Sequence, residues 1–194
     1  MTTPKPLHRV LVVSGGKQAF DYIADLLPKS EYDPITYVSS AGEAKRLLLT
    51  TDYDLLIVNT PLPDEFGTEL ALDYAEGTLG VLLLCKSDLY EQVAYRVEDG
   101  GVLTLPRPVT KQTFYTAIKL LVAMNARLCK LEKQNRSLKE KMADIRVVNR
   151  AKWLLIEHLT MTEQDAHYYI EKQAMDTRLS RREVAEGIIR TYDK

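Results

Sequence analysis

The sequence predicts a doubly wound α/β domain with a five-stranded parallel sheet, followed by a long coiled-coil helix and a small three-helix module. Three observations support this fold class. Short runs of Val, Leu and Ile alternate with helical patterns over about the first 110 residues, as in a parallel sheet that is covered on both faces. A heptad repeat follows, and three further helical patterns come after it.

Each strand is predicted from an apolar run without polar alternation, and between the strands the sequence has helical periodicity. Ser40 and Glu43 have the spacing of a capping box at the start of the second helix. In folds of this class the functional crevice lies at the carboxyl ends of the strands, so the residues that follow each run are the candidates. The runs are residues 10–13, 35–38, 55–58, 81–84 and 102–105.

Two of the loops that follow predicted strands have distinctive sequences. Residues 59–67 read Asn-Thr-Pro-Leu-Pro-Asp-Glu-Phe-Gly, and Arg107-Pro108 follows the fifth run. With the order of elements, these stretches resemble a response-regulator receiver domain over about residues 7–120. The resemblance implies a fold like that of CheY and flavodoxin, with a phosphoacceptor Asp beside a magnesium site.

The residues that would carry this chemistry are replaced. Where the family has an acidic pair, a phosphorylatable Asp, a Thr or Ser, and a Lys, this chain has Ser14 with Gly15, Asn59, Cys85 and Arg107. Magnesium needs carboxylate oxygens in such a site, and an amide cannot form an acyl phosphate. We therefore predict a pseudo-receiver with a degenerate phosphorylation pocket, no catalytic residue, no metal and no cofactor.

Composition narrows the class of protein further. The 194 residues carry a net charge of −1, and no apolar run reaches the roughly 18 residues of a membrane span. Met1 to Pro6 lack the apolar core of a secretory signal, so we expect a cytoplasmic protein without membrane contact. The two cysteines and three histidines do not have the spacing of metal ligands or of a disulfide framework.

The charges are distributed unevenly along the chain. Residues 1–110 carry 9 basic and 16 acidic side chains, whereas residues 111–152 carry 11 basic and 3 acidic side chains. This asymmetry favours a polyanionic partner for the second segment.

The basic segment has a heptad pattern. Beyond Thr110 there is no Pro and one Gly, and apolar residues alternate at spacings of three and four. Asn135 falls at a core position, where an amide is satisfied mainly by its twin in a parallel two-stranded coil. We predict a homodimer through a parallel coiled coil over residues 121–143, although the first two heptads could instead pack on the sheet. The predicted seam is Leu121, Met124, Leu128, Leu131, Asn135, Leu138, Met142 and Ile145.

The last fifty residues are predicted to form three helical pieces, at 144–159, 163–176 and 181–191, with Met161 and Met175 in their core. Thr162 with Asp165 and Ser180 with Glu183 have capping spacing. Residues 150–152 with 154–155, 162–167, 173–176, and 184–186 with 188–189 resemble the ANTAR domain of transcription antiterminators, a likeness that extends over 144–192. Trp153 departs from the small residue that the family has at this position. It implies that a dimer binds paired RNA hairpins, so that a downstream terminator cannot form.

The candidates for RNA contact share a cationic or aromatic side chain in this region. The alternative for each cation is a solvated helix face, and for each ring a place over the small core. The candidates are Arg146, Arg150, Lys152, Lys172, Arg178, Arg181 and Arg182, with His167 and Tyr168 as stacking residues.

The predicted organisation is a pseudo-receiver over 1–120, a coiled coil over 121–143 and an ANTAR module over 144–194. We predict an RNA-binding antitermination regulator without enzymatic activity, controlled by a protein or small-molecule regulator of the receiver, by constitutive dimerisation or by expression level. Three alternatives stay open: a DNA-binding regulator, a phosphorylation-dependent response regulator and a pure coiled-coil scaffold.

Overall fold

The computed structural model describes residues 7–193. The first six residues and the last, which belong to the predicted domains 1–120 and 144–194, lie outside the described residues. The chain divides into two compact units, Met1–Lys130 and Leu131–Lys194. Over residues 7–193, none of the helices has the length and apolar character that a membrane crossing requires.

Unit 1 contains a five-stranded parallel sheet in the order β2-β1-β3-β4-β5. This order reverses between β1 and β3, where the crevice of a doubly wound fold opens. The predicted fold class is confirmed, and β5 begins one residue later and ends two residues later than its apolar run. The strands are β1 (His8–Ser14), β2 (Tyr32–Val38), β3 (Leu55–Asn59), β4 (Gly80–Lys86) and β5 (Leu103–Arg107).

Over residues 7–193, seven α-helices accompany the sheet, and two single 3₁₀ turns flank the fourth of them. The fifth helix contains the division between the two units, so the predicted coiled-coil helix and the first ANTAR helix are one continuous element. The helices are α1 (Lys17–Leu26), α2 (Ala41–Leu48), α3 (Thr68–Ala75), α4 (Tyr90–Val97), α5 (Lys111–Leu159), α6 (Glu163–Thr177) and α7 (Arg181–Tyr192).

The sheet is covered on both faces because successive side chains of a strand point to opposite sides. Leu11, Val13 and Leu56 pack against α2, α3 and α4. Val10 and Val12 lie on the opposite face, in the cluster that includes residues of α1 and the beginning of α5. Such two-sided burial explains why the strands read as unbroken apolar runs.

The start of α5 packs closely on the sheet. Phe114, Ile118 and Leu121 are buried in the core of unit 1, and a Cβ placed on Gly80 would lie 3.3 Å from the Cβ of Leu121. Leu121 is only 4% exposed, so its assignment to the dimer seam is wrong. The side chain is already used in the protomer's own core, as the packing alternative for the first heptads required.

Unit 2 has its own small core, formed where α6 and α7 pack on the last part of α5. Leu155, Ile170 and Ile188 belong to this buried cluster. Thr162 caps α6 by accepting from the backbone N–H of Asp165, and Ser180 with Glu183 completes a capping box on α7. Met161 packs against the cluster as predicted, but Met175 is 80% exposed and does not fill it.

Candidate functional site

The crevice at the carboxyl ends of β1 and β3 contains an amide and a hydroxyl. Ser14 and Asn59 are register partners in these strands, and Asn59 donates from Nδ2 to Ser14 Oγ at 3.0 Å. Ser14 in turn donates to the carbonyl of Gly16. Asn59 is 6% exposed, and its Oδ1 has no partner among the described residues. These contacts hold the amide in a neutral, buried pair with Ser14.

Cys85 and Arg107 complete the degenerate pocket. Cys85 is fully buried, and desolvation raises the pKa of its thiol. Arg107 donates from its guanidinium to the carbonyl of Thr60, and the carbonyl of Arg107 accepts from Ser87 Oγ at 2.7 Å. Arg107 therefore fastens the loop after β3 to the end of β5, which is a structural use of a cation at this position.

The acidic residues of the loop after β3 are engaged away from the strand ends. Asp64 accepts from the backbone N–H groups of Gly42 and Ala41 at 2.9 and 3.0 Å. These hydrogen bonds, with that of Gly42 the stronger influence, lower the pKa of the Asp64 carboxyl. Glu65 accepts from the backbone N–H of Leu70. Neither carboxylate lies at the position where the family's phosphoacceptor would be.

The remaining predicted seam residues form a stripe on α5. Asn125, which follows the seam residue Met124, donates from its side-chain amide to the carbonyl of Asp54, so this part of α5 still contacts the receiver unit. Over residues 126–142 every residue is exposed except Cys129, whose thiol is half-buried. The six apolar members are between 42% and 60% exposed: Met124, Leu128, Leu131, Leu138, Met142 and Ile145.

A groove of about 580 Å³ runs along unit 2 between α5, α6 and the start of α7. Four of the predicted RNA-contact residues line it, namely Lys152, His167, Arg181 and Arg182. Sequence reasoning missed Lys141, Asp144, Asn149 and Ser180 as lining residues, because their proximity depends on how the three helices pack. Ile145 and Val148 supply apolar wall.

Carboxylates hold the cations of the groove in place. Arg181 pairs with Glu171 at 2.9 Å, and Lys152 pairs with Glu163 at 2.6 Å. Arg182 contacts Asp144 and Glu186, each at 2.8 Å. The hydrogen bonds to Glu186 and then Asp144 raise the pKa of the Arg182 guanidinium, and Lys152 lowers the pKa of Glu163. The cations are thus oriented by ion pairs before any ligand binds.

The other candidates lie outside the groove lining. Arg150 pairs with Asp193 at 2.8 Å. Arg178 ends α6 with a positive φ of 56°, and Tyr168 is 66% exposed. Arg146 and Lys172 are exposed on α5 and α6. Neither His167 nor Tyr168 covers the core, since both side chains are exposed.

The match of the sequence to a family model accounts for this second unit. Residues 136–189 match the model of the ANTAR domain. The match includes every residue that lines the groove, and it begins eight residues before the likeness seen in the sequence. The ANTAR domain therefore takes in α6, most of α7 and the part of α5 that carries Leu138, Met142 and Ile145.

A curated relative matches over nearly the whole chain. The chain is 27% identical over 185 residues to the transcriptional regulatory protein PdtaR of Mycobacterium tuberculosis, in strains CDC 1551 / Oshkosh and H37Rv. The alignment covers 95% of this chain and 90% of PdtaR. The similarity therefore extends over most of the length of both proteins.

Solved structures of receiver domains match a large part of the chain. A signal receiver domain of an HD domain-containing protein from Pseudomonas fluorescens Pf-5 has a TM-score of 0.58 at 19% identity, covering 66% of this chain and 95% of that one. The chemotaxis response regulator CheY4 of Vibrio cholerae has a TM-score of 0.52 at 16% identity, covering 60% and 99%. Unit 1 therefore has the receiver fold.

Proposed function

We propose that this protein is a dimeric transcription antitermination regulator that binds paired hairpins in nascent RNA through its ANTAR domain. It acts in the cytoplasm, where transcripts are made, and performs no enzymatic reaction. We assign residues 1–120 to a pseudo-receiver, 121–143 to the dimerisation helix and 144–194 to the RNA-binding module. The receiver is not phosphorylated on Asp, and its regulator is a protein or a small molecule.

The groove of the ANTAR domain carries this proposal. Four residues chosen from the sequence as RNA contacts line one groove, and three of them are cations. RNA loops offer unstacked bases and a folded phosphate backbone, both of which match a cleft with cationic and apolar walls. The similarity of this chain to PdtaR, a transcriptional regulatory protein, supports a role in the regulation of transcription.

The exposed stripe on α5 supports the dimer. Six large apolar side chains at heptad spacing are left in solvent in one copy, and burying such a stripe is the driving force of a coiled coil. Two copies side by side would present two ANTAR domains to one transcript. Linked binding of two hairpins then multiplies two modest affinities through effective concentration.

The crevice of the receiver supports regulation without phosphotransfer. Asn59 occupies the strand end and donates to Ser14, while Asp64 caps α2. A Mg²⁺ ion needs oxygen ligands, with carboxylates foremost among them in such a site. With an amide in place of the nucleophile and no acidic pair after β1, the receiver has become a docking or scaffolding domain.

The deciding experiment compares a two-hairpin RNA with duplex DNA of the same length in gel-shift titrations of the full chain. The double variant Lys152→Ala, Arg181→Ala should weaken RNA binding by about tenfold or more, since each lost cationic contact is worth on the order of 1 kcal/mol. The matched control, Lys86→Ala with Arg96→Ala, removes two cations from unit 1 and should leave binding unchanged. Equal affinity for duplex DNA, or an unaffected double variant, would overturn the proposal.

A further inference from the structure

A small cavity of about 170 Å³ lies in unit 1, between α1 and the ends of β3, β4 and β5. Its walls are mainly apolar, with Ala19 and Ile23 from α1, Leu84 from β4, and Val109 from the segment just before α5. At roughly 30 Å³ for each water molecule, this volume corresponds to about six waters. The cavity therefore has room for a molecule of about six to eight non-hydrogen atoms.

Asn59 lines this cavity and has an acceptor that is not in use. Its Nδ2 donates to Ser14 Oγ at 3.0 Å, and Ser14 Oγ donates in turn to the carbonyl of Gly16 at 3.2 Å. Because the Ser14 hydroxyl hydrogen goes to Gly16, Ser14 Oγ can only accept from Asn59, which fixes the orientation of the amide. Its Oδ1 is buried without a partner among residues 7–193. A buried acceptor costs free energy until a donor reaches it, so a matching ligand carries a donor.

Arg107 supplies a cation without a counter-charge. Its Nη2 donates to the carbonyl of Thr60, whereas its Nε is buried and has no partner in the described part of the chain. The guanidinium forms no ion pair within residues 7–193. Arg107 is also the one charged side chain among the described residues that line the cavity. Hydrogen bonds from a guanidinium to a carboxylate are stronger than neutral ones, so the cavity favours a small anion.

The two free groups together select a class of ligand. A carboxylate matches Arg107, and a hydroxyl on the neighbouring carbon matches the free oxygen of Asn59. An ammonium group would also donate to Asn59, but it would bring a second positive charge close to Arg107. No described carboxylate lines the cavity to balance that charge, so the neutral hydroxyl is the better donor.

We propose that this cavity binds a small 2-hydroxy carboxylate, with its carboxylate on Arg107, its hydroxyl on Asn59 and a short chain against the apolar wall. The inference rests on the proposed function in one respect, since it names the chemical class of the small-molecule regulator. Tyr22, which also lines the cavity, donates to the carbonyl of Val109 at 3.3 Å, and α5 begins two residues later at Lys111. A ligand here contacts the segment that leads into the helix with the dimer stripe.

Calorimetric titration of the full chain with 2-hydroxybutyrate tests the site. Three analogues keep its carbon skeleton: butyrate lacks the hydroxyl, 2-hydroxybutyramide lacks the charge, and 2-aminobutyrate has an ammonium in place of the hydroxyl. The hydroxy acid should bind at least about fivefold more tightly than each analogue, the effect of one lost hydrogen bond to a buried group. Equal affinity for any of the three would overturn the assigned ligand class.

Variants locate the bound acid. Ala19→Leu extends a side chain into the cavity and should abolish binding. The matched control Ala24→Leu makes the same change at another half-buried position of α1 that does not line the cavity, and it should bind like the wild type. Arg107→Gln should remove the preference for the acid over its amide, with circular dichroism confirming that each variant is folded. Binding that survives Ala19→Leu would place the acid elsewhere and refute the site.

Gel-shift titrations with the two-hairpin RNA separate this site from the proposed function. Saturating 2-hydroxybutyrate should change the hairpin Kd of the wild type by at least about fivefold, at the lower end of allosteric couplings, and should not change that of Ala19→Leu. An unchanged wild-type Kd would refute the regulatory role. If hairpins bind and the acid does not, the site is refuted and the proposed function stands. If the acid binds and no hairpin does, the proposed function fails and the ligand site stands.

Discussion

Replacing Leu138 by alanine tests whether the stripe on α5 is covered by a second copy. Leu138 is 60% exposed in the single chain and is surrounded by exposed residues from Leu131 to Lys141. Alanine and leucine are both strong helix formers. The substitution should therefore leave a lone protomer almost unaffected, and any large effect must come from contact with a partner.

The size of the effect follows from the exposed fraction. Burying a whole leucine side chain stabilises by about 1.5–3 kcal/mol, so covering the exposed 60% of Leu138 contributes about 1–2 kcal/mol per copy. Two copies lose this contribution in the dimer, or about 2–4 kcal/mol in total. Since 1.4 kcal/mol is a factor of ten, the Kd of the dimer should rise by about 30-fold to several hundred-fold.

Sedimentation equilibrium over a range of protein concentrations measures this Kd directly. Leu49→Ala is the matched control, because Leu49 is 81% exposed and directly follows α2, so it is not part of the stripe on α5. Far-ultraviolet circular dichroism checks that both variants keep their helix content. A wild type that sediments as a monomer at all concentrations, or a Leu138→Ala variant that dimerises as tightly as Leu49→Ala, would refute the coiled-coil reasoning.

Three further predictions concern the core, the crevice and pH. Leu121→Ala should lower the free energy of unfolding by about 2–5 kcal/mol in urea titrations, the usual cost of truncating a buried leucine, and should leave the dimer Kd unchanged. A higher dimer Kd with unchanged stability would show instead that Leu121 contacts the second copy. Asn59→Asp, incubated with acetyl phosphate and Mg²⁺, should gain no phosphate by intact-mass measurement, because Ser14 and Gly15 supply no carboxylate for the metal; a mass gain of one phosphate would contradict this account of the crevice. The backbone N–H and hydroxyl of Ser180 hold the pKa of Glu183 below its ordinary 4.5, so its carboxylate stabilises α7 above that pH and the contribution is lost as the pH falls through the lowered pKa. Glu183→Gln should make the stability of unit 2 less sensitive to acid below pH 4.5, as followed by circular dichroism. An unchanged dependence of stability on pH would show that protonation of Glu183 is not coupled to folding.

The periodic features could be read from the sequence because they are local. The unbroken runs at Val10 and Leu55 reflect burial on both faces of a parallel sheet, and the boxes at Thr162 and Ser180 reflect the need to satisfy free N–H groups at a helix start. The strand boundaries differ from the apolar runs by up to three residues, as at the start of β2. Ladder pairing extends beyond the apolar run, as in β5, where it reaches Arg107.

The heptad pattern was less informative, because one apolar residue can pack in two ways. Leu121 and Leu128 hold equivalent positions in the repeat, seven residues apart, yet Leu121 is buried against the sheet and Leu128 is 42% exposed. Met175 is likewise an apolar residue that the sequence predicts in the core, yet its side chain is exposed to solvent. Spacing along one helix says which residues share a face, and it does not say what that face meets.

The order of amino acids alone determined the parallel sheet, the long helix, the capped helical pieces at the end and the loss of the acidic crevice residues. These properties depend on backbone propensity, on apolar period and on which functional group stands at a strand end. Tertiary structure decided that Lys152, His167, Arg181 and Arg182 share one groove with Asp144 and Asn149, and that each of its three predicted cations already has a carboxylate partner. Such groupings depend on how three helices pack, where residues up to 41 positions apart become neighbours, and no local pattern records that distance.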